Sequence, residues 1–508
     1  MKNVFLFFLI IFTIIPTKVF TLENKSEIKF IGCNNSITKD DLNLDFLKIK
    51  KIEIDVHKYR DWTVNGIKIL TNGSRFVTDE YKRRFKATIV INYESGAKCI
   101  FPARVRHSGD EKDHIALFDN HIIQSLDVSL EYGNIKGITK FKLLKPDTRG
   151  VLEDVLIQTQ ILRNFGYLAP RSIKVNARIN QTNSIMLFQE KSSKELLEYN
   201  NRREGPILES DEKYFYKIVE SIPDNNLSNW SHQTPFLRTN SSKAMLTKST
   251  NPRLVYRGDQ HKEISIKAVS DLNLIYLYWS NRLQDEKNNY FYFDYDLDNE
   301  LLGFFNKDNV IKLDMYNILM LATNSQHAMG VNNRKFYWNS IENYFEPINY
   351  DANPAIDRDT PTTTSAGLRF PISKYFKESF PILENKLKEI DLDNLYYQIK
   401  LSGTELTKAD IKNKLDKILN NLEKVKNNYF LNISDEKVEH NYFKPIDNIL
   451  FSFNKTVSEI DPNSILIKYN KDKNFFEECL NSLEECSLIS FSNEDLSSLL
   501  EGELKIEN

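Results

Sequence analysis

Glycine is sparse in this chain, 16 of 508 residues, and there are only four cysteines, Cys33, Cys99, Cys479 and Cys486. The cysteines form no CxxC pair and have no histidines at zinc spacing, which excludes the common structural zinc motifs and leaves disulfides or buried thiols. Of the disulfides open to an exported chain, Cys479 with Cys486 is the expected pair. Charge of one sign is also lacking: 68 Lys and Arg stand against 70 Asp and Glu, a net −2. No overall field therefore favours nucleic acid or an anionic membrane. Beyond the N-terminal segment no apolar run is long enough to cross a bilayer, and no repeat at a solenoid period is found. With 41% hydrophobic and 27% charged residues, the chain can build ordinary cores in two or three domains.

The first 21 residues have the layout of a signal peptide: Lys2, an apolar run from Val4 to Ile15, Pro16, a polar Thr17-Lys18 and a small-residue pattern at Val19-Phe20-Thr21. The chain is expected to be exported, to the periplasm, the cell surface or the medium. The cleavage pattern is poor, so an uncleaved N-terminal anchor is the alternative.

Residues 22–84 read as an N-terminal β-rich segment. Ile52 to Val56, Ala87 to Tyr93 and Ile100 to Arg106 alternate at strand period, and Leu126 to Leu130 and Thr139 to Leu143 follow around Gly133 and Gly137. A mostly antiparallel sheet is expected. A helix over Val151 to Phe165 stops at Gly166, and Ser172 to Ile179 with Ser184 to Glu190 return as a hairpin. This is an α+β pattern with an antiparallel-sheet lobe. Residues 205–310 read as loops around short helices. Within them Asp294 to Glu300 lacks the glycine and the bidentate Glu of a calcium loop and reads as solvated. Lys312 to Asn324 is an amphipathic helix, residues 374–428 form a helical lobe, and residues 431–508 form a small C-terminal β appendage over Ser464 to Tyr469 and Asn474 to Glu478.

The densest polar chemistry lies between Asn324 and Ala355. Phe336-Tyr337-Trp338 and Tyr344 to Ile348 form a hairpin across Asn339 to Asn343, which brings His327, Asn332, Asn333 and Arg334 beside Asp351 and Asn353. Asn332 or Asn333 with Asp351 is an oxygen set suited to a hard divalent cation whose shell a phosphate completes. The other reading of Asp351 to Pro354 is a turn capped by its own Asp and Asn side chains. Two basic stretches could serve the same phosphate, Arg104-Val105-Arg106-His107-Ser108-Gly109-Asp110 and Lys140 to Gly150. Lys140 and Lys142 share a strand face, and Glu190 could orient one of them by ion pairing.

The order of these motifs, Arg-x-Arg-x-x-Gly at 104–109, Leu162 to Arg171, Phe188-Gln189-Glu190, Asn333 to Tyr337 and Pro347 to Asp351, resembles the spore-coat-protein-H (CotH) family of atypical protein kinases over residues 85–430. The resemblance implies a kinase-like fold that transfers phosphate from ATP to protein hydroxyls with Mg²⁺ or Mn²⁺. It assigns metal binding to Asn333 and Asp351 and makes Arg106, Lys142 and Glu190 the nucleotide candidates. The aspartate that acts in catalysis in that family is missing, since the matching loop is Asn324 to Gly330, where His327 alone can accept a proton near neutral pH. The Gly-rich phosphate loop and the HRD and DFG motifs of ordinary protein kinases are missing too. Two expectations follow: a phosphotransferase acting on a protein substrate with His327 at its centre, or a catalytically degenerate fold that binds an envelope partner. A metal-dependent hydrolase using His327 and Asp351 is weaker, because no third protein ligand lies at short spacing.

Overall fold

The computed structural model describes residues 32–33, 46–74, 76–118, 121–211, 247–285, 307–329, 333–359 and 375–430, and the strands 465–470, 475–480 and 486–488. The leader at 1–21, the Asp294 to Glu300 loop and Asn332 lie outside the described residues.

The chain opens with β1 (Ile49–Val56) and α1 (Tyr59–Thr71), followed by β2 (Phe85–Tyr93), β3 (Lys98–His107), β4 (Ile115–Phe118), β5 (His121–Gln124), β6 (Leu126–Leu130) and β7 (Lys140–Leu144). After α2 (Leu152–Asn164) come β8 (Ser172–Ile179) and β9 (Thr182–Glu190). The expected sheet is there, but it closes on itself in the order β1-β2-β3-β6-β7-β9-β8. Every pair is antiparallel except the closing one, β1 with β8. The closing strand lies before residue 85, so the barrel begins within the segment read as a separate N-terminal unit.

Strict alternation makes the barrel. Along β2 the inward residues Phe85, Ala87, Ile89, Ile91 and Tyr93 are buried, while Lys86 is exposed on the other face. Ile52, Phe101, Val128, Phe141 and Phe188 supply the same interior from neighbouring strands, and Phe141 stacks on Phe188 with ring centroids 4.6 Å apart. A disulfide fastens Cys33 to Cys99 of β3 across 66 residues, with Cα atoms 4.0 Å apart. This bond was not among the expected pairings, because sequence spacing says nothing about which strand a distant segment lies against, and it leaves the expected Cys479–Cys486 pair open. Cys479 and Cys486 are backbone partners in the small sheet of β14 (Ile465–Asn470), β15 (Phe475–Leu480) and β16 (Cys486–Leu488).

The second sheet is built from β10 (Ile207–Ser210), β11 (Thr247–Ser249), β12 (Lys335–Asn339) and β13 (Tyr344–Ile348), in the order β11-β10-β12-β13. Pro347, which has no N–H to donate, lies in the edge strand β13, where it breaks no ladder. Asn339 closes the β12–β13 hairpin by accepting at Oδ1 from the backbone N–H of Ile341 and Glu342.

The remaining helices are α3 (Lys194–Tyr199), α4 (Asp259–Asp285), α5 (Lys307–Ala322), α6 (Phe376–Lys388), α7 (Leu392–Leu401) and α8 (Lys408–Phe430). One core joins α2, through Ile157 and Ile161, to Ile318 and Leu319 of α5, Leu383 of α6, Ile399 of α7 and the α8 stripe Ile411, Leu415, Ile418, Leu422 and Val425. That stripe has steps of three and four residues, the spacing of one helical face. The architecture is a mixed α/β one: a seven-stranded barrel, a four-stranded sheet, a helical core and a three-stranded C-terminal sheet. A kinase-like two-lobe arrangement is not established by these elements, since the sheet part is a closed barrel.

Candidate functional site

The site forms where three loops converge. The first follows α5: Asn324, in the left-handed region at φ 56°, turns the chain into the short 3₁₀ helix Gln326–Met329, which carries His327. The second follows β13. A backbone bond from the N–H of Asn349 to Leu168 O holds the strand end, and Asp351 and Asn353 both take φ 49°, turns tolerated by short polar side chains. The third is Lys145 to Gly150, after β7. Gly150 has φ 80°, and a Cβ there would lie 2.9 Å from Asn353 C and Pro354 O, so only glycine lets these two loops approach. Asn421 of α8 stitches the set from beneath, donating to Ala322 O and Arg358 O.

His327, Asn333 and Asp351 do meet. His327 Nδ1 lies 2.7 Å from Asp351 O and 3.7 Å from Asp351 Oδ1, and Asn333 Nδ2 lies 3.3 Å from both ring nitrogens. The ring is 46% exposed. Asp351 is also bound by Arg149, which is buried and comes from the third loop.

Lys142 reaches the same place from β7. Its ammonium donates to Tyr350 Oη at 3.2 Å. Among the described residues it forms no ion pair within 4.0 Å. Burial and the neighbouring Arg149 lower its pKa, against the opposing pull of Asp127, Glu209 and Asp110. Tyr350 is ringed by cations, with Lys335 3.8 Å, Lys142 5.2 Å and Arg149 5.8 Å from its centroid. Burial pushes the Tyr350 hydroxyl up to about 12 despite Lys335 and Arg149, so it stays protonated.

Glu209 of β10 was not anticipated, because its strand falls in the polar stretch read as loops. It pairs across the sheet with Lys335, Nζ to Oε2 2.6 Å, and lies opposite Lys248 of β11. Burial alone would raise its carboxyl, but Lys335, Lys248 and Lys142 hold it down at about 2.

Two nucleotide candidates stand elsewhere. Glu190 does not orient Lys142. The register pairs Glu190 with Phe141 and Lys142 with Gln189, so Glu190 faces the barrel interior and Lys142 the outside. There Arg171 binds Glu190 in a buried bidentate pair, Nε to Oε2 2.9 Å and Nη2 to Oε1 2.8 Å. Arg106 lies on the outer face with Lys142, but it is engaged by Asp127 (3.1 Å), which also binds Lys191 (2.8 Å). Burial would raise the Asp127 carboxyl, yet Lys191, Arg106 and Arg84 hold it well below the usual carboxylate range. Across this outer face and the Tyr350 cluster, Arg84, Arg106, Lys191, Lys142, Arg149 and Lys335 face Asp127, Glu209 and Asp351.

Among the described residues no group of three or more His, Cys, Asp or Glu side chains is placed to hold a metal ion. Asn333 and Asp351 each lie against His327, and their oxygens fit Mg²⁺ or Mn²⁺ only if a phosphate supplies further ligands and Arg149 yields the Asp351 carboxylate. Neither models of known protein families nor curated proteins give a match to this chain.

Proposed function

We propose that this chain is an exported, CotH-like kinase-fold phosphotransferase that binds ATP with Mg²⁺ or Mn²⁺ and passes its terminal phosphate to a hydroxyl of a protein substrate. One observation carries the reading: Lys142 of the barrel meets Tyr350, 208 residues later and next in the chain to Asp351, which with Asn333 lies against His327 and to which the motif order assigns the metal. A half-buried amine, a guanidinium, a carboxylate and an amide drawn from distant segments are the parts phosphoryl transfer uses, since that chemistry rests mainly on positioning and charge neutralisation. Lys142, Lys335 and Arg149 would take the phosphates. Asn333 and Asp351 would hold the cation, which when bound neutralises the transferring charge. His327 occupies the loop where the family carries its aspartate and would engage the reacting groups. The reading rests on motif order and on this convergence.

A second reading has its own observation. Asp351 is already satisfied by Arg149, which suits a degenerate fold that binds an envelope partner and no nucleotide. Thermal melting of the full chain with and without Mg-ATP or Mn-ATP separates the two. A rise of several degrees, lost in Lys142→Met, supports the phosphotransferase; no rise with either metal leaves the binding protein standing.

A further inference from the structure

We propose that phosphate passes through His327 itself, as a phosphohistidine formed on Nε2. This rests on the nucleotide reading above and specifies its chemistry. The acceptor at Nδ1 is the backbone carbonyl of Asp351, 2.7 Å away, and a carbonyl can only accept, so Nδ1 carries the proton and Nε2 the lone pair. Asn333 Nδ2 does not consume that lone pair. A donor 3.3 Å from both ring nitrogens lies on the plane bisecting the ring, roughly at right angles to either lone pair, where a hydrogen bond is weakest. The side chain is nearly half exposed, so a ligand can reach the ring.

The same geometry weakens the alternative, a general base. An imidazole that takes a proton becomes an imidazolium, and the serine-protease type of site stabilises it with a carboxylate on Nδ1. Here the partner is a neutral peptide carbonyl. Among the described residues the carboxylate oxygen within 4.0 Å of the ring is Asp351 Oδ1, 3.7 Å from Nδ1 and bound by Arg149. Attack through Nε2 with Nδ1 still protonated also leaves a cationic ring, but there the anionic phosphoryl oxygens bonded to Nε2 offset its charge, which a protonated general base lacks.

The steps balance. The Nε2 lone pair forms a bond to the terminal phosphorus of ATP as the bridging P–O bond breaks, and its electron pair leaves on the ADP oxygen. Nδ1 keeps its proton on the Asp351 carbonyl. The acceptor hydroxyl oxygen then bonds to phosphorus, the N–P pair returns to Nε2, and the hydroxyl proton passes to water.

The full chain is incubated with Mg-ATP labelled at the terminal phosphate and probed for acid-labile, alkali-stable label and with antibodies specific for each phosphohistidine isomer. The expected result is label on the Nε2 isomer only, absent from His327→Ala and His327→Asn. Because the isomer is read on the unsubstituted chain, the test survives a variant that folds poorly. A Mg-ATP melting shift with no phosphohistidine, with the Nδ1 isomer, or with acid-stable label alone overturns the proposal and leaves nucleotide binding intact. Absence of both shift and label overturns the nucleotide reading along with it.

Discussion

Arg149 and Asp351, 202 residues apart, close an ion pair in which Arg149 Nη1 donates to Asp351 Oδ1 while Arg149 Nε, also buried, has no hydrogen-bond partner. Besides this carboxylate the guanidinium donates only to the backbone carbonyl of Thr148, among the described residues. Removing one member of a buried pair strands the other charge, at a cost of about 3 kcal/mol, whereas removing both for apolar groups is often close to neutral. Asp351→Ala is expected to lower the melting temperature clearly, and Arg149→Met with Asp351→Leu to recover most of the loss. Melting of the two proteins beside the unsubstituted chain decides it: a double variant as unstable as Asp351→Ala would mean that the pair is not what Asp351 supports.

Lys142 and Tyr350 separate binding from scaffolding. Tyr350→Phe removes one hydrogen bond, worth about 1 kcal/mol, but keeps the ring beneath Lys335. Lys142→Met removes the ammonium that has no carboxylate within ion-pair distance among the described residues. The Mg-ATP melting shift should survive the first change and vanish with the second. The same shift in both variants would remove Lys142 from the nucleotide site.

Much of this framework could be read in the sequence, for definite reasons. The strands of β2, β3, β6 and β7 alternate cleanly, and α2 and α8 carry their apolar stripes at helical spacing, so local pattern and burial agree. The β12–β13 hairpin was marked by apolar residues on both sides of Asn339 to Asn343, and His327, Asn333 and Asp351 were expected together and are found together. Barrel closure was not legible, because the parallel β1–β8 pair joins segments more than a hundred residues apart and pairing has no local signature. Glu190 was misplaced by one register step, since neighbouring strand residues face opposite sides. Tyr350 and Glu209 looked like ordinary polar positions until folding set Lys142, Arg149 and Lys335 around the Tyr350 ring and Glu209 against Lys335.

His107 and His114 make stability depend on pH. Both are buried. Gly109, at φ 111°, packs so tightly on His114 that a Cβ would come within 2.2 Å of its ring. Burial pushes His107 down to about 4, with Gln124 and Asp110 opposing and Lys82 and Arg106 reinforcing; burial, Arg149, Lys142 and His107 push His114 to about 2. An unfolded histidine titrates near 6.5, so between that pH and 4 the unfolded chain binds more protons than the folded one. Stability is therefore complete above about pH 6.5 and falls as pH drops, by about 2 kcal/mol per histidine at pH 5. His114→Gln should shrink the difference in melting temperature between pH 7 and pH 5. An unchanged difference would locate the acid sensitivity in other groups.

The N-terminal limit of the barrel can be tested by cutting the chain. β1 supplies the neighbours of both β2 and β8, and its inward Ile52 and Ile54 are fully buried, so a chain begun at residue 85 leaves two open strand edges and an uncovered core. A chain begun at residue 45 keeps β1 but loses Cys33, and with it a crosslink over 66 residues whose effect on the unfolded chain is worth roughly 4 kcal/mol. One begun at residue 25 keeps both. The expected order of melting is 25 above 45, with the 85 form failing to melt cooperatively. A reductant should lower the 25 form towards the 45 form. Cooperative melting of the 85 form would show that the remaining six strands close without β1, and that the parallel pair is an addition to the barrel and not its keystone.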